Sequence, residues 1–313
     1  SAAAAMGSGG VVVAGSTAAA PGPRGARAAV SGAHAISLEA VVGVRNPSYV
    51  QVVNSSVMVT SFSVLREGFV GEMVEESPGR FSVRRLDHDF LWPNEVSPHP
   101  SDGILVSDGF LCPTKDEGGV YAVQNCFTPQ EVVQRLTRSR PGWFYHRAVD
   151  VELPNGAGRG ILTARCRKPL LGDGEGELVW LSPPAHGGGE WEETVLRQGP
   201  DVMFEVVDLD PSDDTVEVIS AEFFGGRLTL LSLRGRPGAA APPEVASSRV
   251  LDHFPGRAYG VCAADLSPRR EGEAQGEDGA RGAGAGGPTH ILVTSHDCAY
   301  DVRGALRMGW EVV

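Results

Sequence analysis

Residues 104–108 read ILVSD, and the run returns as ILTAR at 161–165, VISAE at 218–222 and ILVTSH at 291–296. Each is a short, β-branched apolar run closed by a charged residue. It is too short for a helix and apolar on both faces, the pattern of a strand buried inside a stack of sheets. Arg165 lies 57 residues after Asp108, Glu222 lies 57 after Arg165, and His296 lies 74 after Glu222. The longest interval carries the Gly-rich insertion 267–287, SPRREGEAQGEDGARGAGAGG, of a kind that loops accept at little entropic cost. A weaker fifth copy is VMVTSF at 57–62.

The flanks repeat with the runs. Ahead of them stand PSYVQVV (47–53), WPNEV (92–96), YHRAVDVEL (145–153), MFEVVDLD (203–210) and AYGVCAADL (258–266). Behind them stand glycine-led segments: GFVGEMVE (68–75), GGVYAV (118–123), GELVWL (176–181), GGRLTLL (225–231) and GALRMGWEV (304–312). A fourth strand candidate follows in four of the units, at FSVRRL, VVQRLT, EETVLR and SSRVLD, and is missing from the last. Four strands per unit and almost no helical periodicity predict an all-β fold. The specific expectation is a β-propeller of four-stranded blades, five in a closed ring or five of a larger one. The blades are expected near 45–86, 87–137, 138–197, 198–252 and 253–313, forming one propeller domain over 34–313. HAISLEAVV at 34–42 is the candidate strand to complete the last blade and close the ring. A β-sandwich of similar strands is the competing architecture, but it needs no constant four-strand period.

Composition bounds the function. A hydrophobic fraction of 42% in 313 residues supplies a large core, and a formal charge of −12 repels phosphate backbones and anionic lipid. Nucleic acid is therefore not an expected partner. No apolar stretch approaches the roughly 20 residues that span a bilayer as a helix, so membrane insertion is not expected. The five cysteines, at 112, 126, 166, 262 and 298, contain no CxxC pair, which argues against a dense disulfide framework or a zinc finger. Before Glu39 the chain has no acidic residue, so 1–33 reads as a disordered low-complexity tail or a transit-type segment. The second reading would fit a secreted or organellar location.

The segment 177–231 holds Leu178, Val179, Trp180 and Trp191, then Asp208, Leu209 and Asp210, with an echo in AADL at 263–266. On these residues it resembles the FG-GAP or VCBS type of propeller repeat, and the propeller region is broadly similar to that of aldos-2-ulose dehydratase. The resemblance covers the last three units better than the first two. It implies a propeller, a fold shared by adhesins, lectin-like proteins and a few lyases. It also implies calcium bound by alternate carboxylates of a DxDxDG loop. Here DLDPSDD keeps that spacing at Asp208, Asp210, Ser212 and Asp214 but lacks the glycine, so an acidic turn is the plainer reading.

In a propeller the repeat register puts Asp108, Arg165, Glu222 and His296 at matched ends of the second strands, around one mouth of the axial channel. Entry segments bring Asn94, Tyr145, His146 and Tyr259 to the same end, and the loop after His296 adds Asp297, Tyr300 and Arg303. Aromatic walls with mixed charges suit a carbohydrate or a protein segment, and no cofactor is required. The leading expectation is a noncatalytic binding or scaffold domain. The alternative is a lyase or isomerase acting on a sugar-like substrate. There His146 or His296 would be the base, Glu222 or Asp108 the acid, and Arg165 the stabiliser of an enolate oxygen. Against both stands a simpler possibility, that charged strand ends are caps and ion pairs of the fold itself.

Overall fold

A computed structural model of the chain describes residues 11–17, 35–41, 47–63, 66–77, 80–99, 101–109, 117–167, 174–184, 191–199, 203–236, 241–253, 257–264, 290–300 and 306–312. These residues form 21 strands and no α-helix. β1 (Val11–Thr17) and β2 (Ala35–Val41) form a two-stranded sheet. Four antiparallel four-stranded sheets follow in chain order. The first comprises β3 (Pro47–Val53), β4 (Ser56–Ser63), β5 (Arg66–Ser77) and β6 (Arg80–Arg85). The second comprises β7 (Val96–His99), β8 (Gly103–Asp108), β9 (Gly119–Gln124) and β10 (Val132–Arg135). In the third are β11 (Phe144–Leu153), β12 (Gly158–Arg167), β13 (Glu175–Ser182) and β14 (Glu192–Gln198). The fourth holds β15 (Met203–Val207), β16 (Thr215–Glu222), β17 (Arg227–Arg234) and β18 (Glu244–His253). The last sheet has three strands, β19 (Arg257–Ala264), β20 (His290–Tyr300) and β21 (Leu306–Val312).

The apolar runs are the second strands, and their alternation explains why both faces are buried. On β8, Ile104 and Val106 join Val53, Met58 and Val70 of the first sheet, while Leu105 between them joins Tyr145, Ile161 and Val179 of the third. On β12, Ile161 turns to the second sheet, whereas Leu162 and Ala164 pack with Phe204, Val216 and Val218 of the fourth. On β16, Val218 faces back to the third sheet, and Ile219 and Ala221 pack with Val261 of the last. Each fully buried aliphatic side chain stabilises by about 1.5–3 kcal/mol, and a strand with period 2 spends these on two neighbours at once. Consecutive sheets also meet along their first strands: β3 on β7, β7 on β11, β11 on β15 and β15 on β19.

Three expectations change. The segment 34–42 does not complete the last sheet: β2 pairs antiparallel with β1, from Val11 opposite Val41 to Thr17 opposite Ala35. The β-branched VVVAGST is a nearer partner in the chain, and sequential strands tend to pair. β1 itself lies in the 1–33 segment read as a tail. The WPNEV stretch is mostly a connection, with β7 beginning only at Val96. Asn94 and Glu95 nevertheless continue the ladder, the Asn94 N–H donating to the Ser107 carbonyl and the Ser107 N–H to the Glu95 carbonyl.

Candidate functional site

Asp108 ends β8, Arg165 lies two residues before the end of β12, and Glu222 ends β16. The side chains of all three are buried, at 1%, 1% and 0% exposure, and each is bound within the protein. The Asp108 carboxylate accepts from the backbone N–H groups of Leu91 (3.0 Å), Trp92 (2.6 Å) and Gly109 (2.8 Å). It thereby fastens the connection that enters the second sheet. Burial pushes its pKa up, against the pull of those three donors.

Arg165 does the equivalent work in the third sheet through ion pairs. Its Nη2 donates to Glu177 Oε2 (2.5 Å) and its Nη1 to Glu193 Oε2 (2.8 Å), with the Tyr145 hydroxyl at 3.3 Å. Glu193 in turn accepts from the Arg138 N–H at 2.6 Å, on the connection into that sheet. Burial raises the Glu193 carboxyl, but the Arg138 N–H, Arg165 and Arg140 outweigh it and hold it below the usual carboxylate range. Arg165 and Arg167 also lie 5.1 and 5.6 Å from the ring centre of half-buried Trp143.

Glu222 accepts from Arg227 Nε (2.5 Å) and Thr229 Oγ1 (2.6 Å). Gly199, in the connection toward the fourth sheet, has φ +126°, and a Cβ placed there would lie 3.4 Å from Glu222 Oε2. Asp108 and, through Glu193, Arg165 therefore hold the entry connections of their own sheets, and Glu222 ties the end of β16 to β17. His296 occupies a similar place on β20, between Arg257 of β19 and Trp310 of β21 in register. Its side chain lies outside the described residues, as do those of Tyr259, Asp297 and Tyr300, and Arg303 lies outside altogether.

Deeper in, Asn94 joins the sheets across their first strands. Its amide donates to the His146 carbonyl at 2.9 Å and lies 3.3 Å from His146 Nδ1, and the Ser48 hydroxyl donates to its Oδ1 at 3.4 Å. His146 sits where the ladder slips between Tyr145 and Arg147, a bulge that turns an extra side chain inward. Burial drives its pKa down to about 3, so at neutral pH it is an uncharged ring and a weak base. Tyr145 is fully buried, and burial raises its phenol.

One position further along the first strands lies a cluster that the sequence analysis did not single out: Tyr49 on β3, Glu95 beside β7, Arg147 on β11 and Glu205 on β15. Arg147 lies 3.4 Å from Glu95 and 3.1 Å from Glu205, so one guanidinium joins three sheets. The available signal was a polar residue interrupting the first-strand candidate of four repeats, at PSYVQ, WPNEV, YHRAV and MFEVV.

In the acidic loop before β16 the side chains bond to one another and to Arg234. Asp210 Oδ1 accepts from the Ser212 N–H (3.1 Å) and hydroxyl (2.5 Å), and Asp214 pairs with Arg234 at 3.0 Å. Asp208 is exposed, and among the described residues no group of three or more His, Cys, Asp or Glu is arranged to hold a metal. Cys126 and Cys262 are free thiols, and Cys166 is buried. Among the described residues no helix is long and apolar enough to cross a membrane. No protein-family model matches the chain, and no curated protein matches it.

Proposed function

We propose that the four four-stranded sheets and the last, three-stranded sheet are blades of a β-propeller and that the chain is a noncatalytic binding or scaffold domain. Its ligand is a carbohydrate or a protein segment taken at the channel mouth. The internal commitment of Asp108, Arg165 and Glu222 carries this reading. An acid–base pair for a lyase must reach a substrate proton, whereas these groups are buried and already bonded, and His146 is a neutral buried ring. Among the described residues, that end presents Trp143 beside the exposed Arg167–Glu175 pair, and the edge-to-face pair Phe223 and Phe224. Such faces suit sugar rings or peptide side chains. The FG-GAP-like residues around Trp180 and Asp208 support the blade reading.

The test is thermal unfolding against a panel of mono- and oligosaccharides, with product analysis on the same mixtures. A ligand at 100 times its Kd adds about 2.7 kcal/mol to the folded state. A sugar-specific rise in midpoint that is lost in Trp143→Ala, without product, supports carbohydrate recognition. No rise with any sugar assigns the mouth to a protein segment. Turnover of a sugar would overturn the noncatalytic reading.

A further inference from the structure

Glu95 is 1% exposed, and neither of its carboxyl oxygens receives a hydrogen bond of good geometry, although the Tyr49 hydroxyl reaches toward it. Its cation is Arg147, which it shares with Glu205. Two carboxylates therefore share one guanidinium, and Glu95, the one shut off from water, is poorly compensated if both are ionised. Burial and the neighbouring carboxylate both disfavour the charged form of Glu95. Glu95 is the buried one of the two and has the longer contact to Arg147, 3.4 Å against 3.1 Å for Glu205, so Glu95 is the carboxyl placed to hold a proton.

We infer that Tyr49, Glu95, Arg147 and Glu205 form a proton-linked latch across the first strands of four sheets, tightened when Glu95 is protonated. The groups facing Glu95 are Tyr49 from β3, Arg147 from β11 and Glu205 from β15. β4 carries no ionisable residue, and the Asp108 carboxylate of β8 is bound to backbone at the strand end. His146 beside Arg147 is neutral, and Cys262 of β19 faces Arg147. Burial pushes Glu95 up to about 7, against the pull of Arg147.

The sign follows from that direction. A carboxyl raised in the folded state binds its proton more tightly there than in the unfolded chain. Its contribution is full below the unfolded value near 4.5 and is lost as pH rises to about 7. The latch depends on these contacts alone and not on what the mouth binds.

The experiment compares denaturant unfolding of the wild type and Glu95→Gln from pH 5 to pH 8. Glutamine keeps the shape of the protonated carboxyl but cannot ionise. The ratio of the wild-type folding constant to that of the variant is expected to fall by about tenfold per pH unit between about 5 and 7, then to level off. A ratio constant within about twofold across that window, or one that rises, overturns the latch. The wild type also carries a test that needs no variant. Carboxyl-carbon NMR of glutamate-labelled protein should show one side chain titrating well above the others, and all glutamates titrating below pH 5.5 would overturn the inference.

Discussion

Replacing Arg165 by methionine removes a guanidinium that is 1% exposed and bridges two carboxylates, Glu177 and Glu193, while keeping most of the stem's volume. Glu193, itself 3% exposed, would retain Arg140 at 3.2 Å and the Arg138 N–H but lose its closest guanidinium. Removing one partner of a buried ion pair costs about 3–5 kcal/mol, because the other charge stays buried. For a domain of this size, a loss of 1 kcal/mol lowers the midpoint by about 2–4 °C, so Arg165→Met should unfold about 10 °C lower. The control is Arg167→Ala, whose exposed pair with Glu175 is expected to contribute about 0–1 kcal/mol. The variant should also change the acid limb. Glu193 is held below its ordinary range in the fold, so its contribution is present above the unfolded pKa and lost as pH falls through the folded one. That loss should be shallower in Arg165→Met. Urea unfolding measured at pH 7 and below pH 4.5 tests both points. A change under about 1 kcal/mol at pH 7 would refute the assignment of Arg165 as a staple of the third sheet.

Asp108→Ala should lose about 3 kcal/mol, because three backbone N–H groups lose a charged acceptor, and Asp108→Asn should lose less because it keeps one oxygen; equal losses in chemical denaturation would contradict that account. Gly199→Ala should cost about 1–3 kcal/mol, chiefly because φ +126° disfavours any side chain, with the new Cβ also 3.3 Å from Arg227 Nη2; an unchanged midpoint would contradict that backbone requirement.

The sheet order was legible because ILVSD, ILTAR and VISAE alternate with period 2 between two neighbours, so their apolar character on both faces already demanded a sheet on each side. Among the described residues the last sheet has three strands, in line with a last repeat that offers no fourth strand candidate. The late start of β7 was not, since it depends on Asp108 drawing Leu91 and Trp92 into a connection from across the sheet. The pairing of 34–42 was not legible either, because strand composition is silent on which edge a strand joins. Within the candidate site, the matched positions of Asp108, Arg165 and Glu222 could be read from the repeat, but their roles could not. Those roles are set by Glu193, Thr229 and the Leu91 N–H, partners that periodicity does not mark. Glu95 and Arg147 were passed over as ordinary polar interruptions, although the same interruption in four first strands is what gathers them.

The claim that the sheets are blades of a closed five-membered ring is tested most directly by electron–electron distances between spin labels. Labels go on exposed outer-strand sites, Arg84 of β6, Val195 of β14 and Arg249 of β18, in a variant whose cysteines are replaced by serine or alanine. In a closed ring of five, the first sheet is equally far from the third and the fourth, so the 84–195 and 84–249 distances should agree to within the reach of the labels. A markedly longer 84–249 distance would mean an open succession of sheets and would contradict the ring.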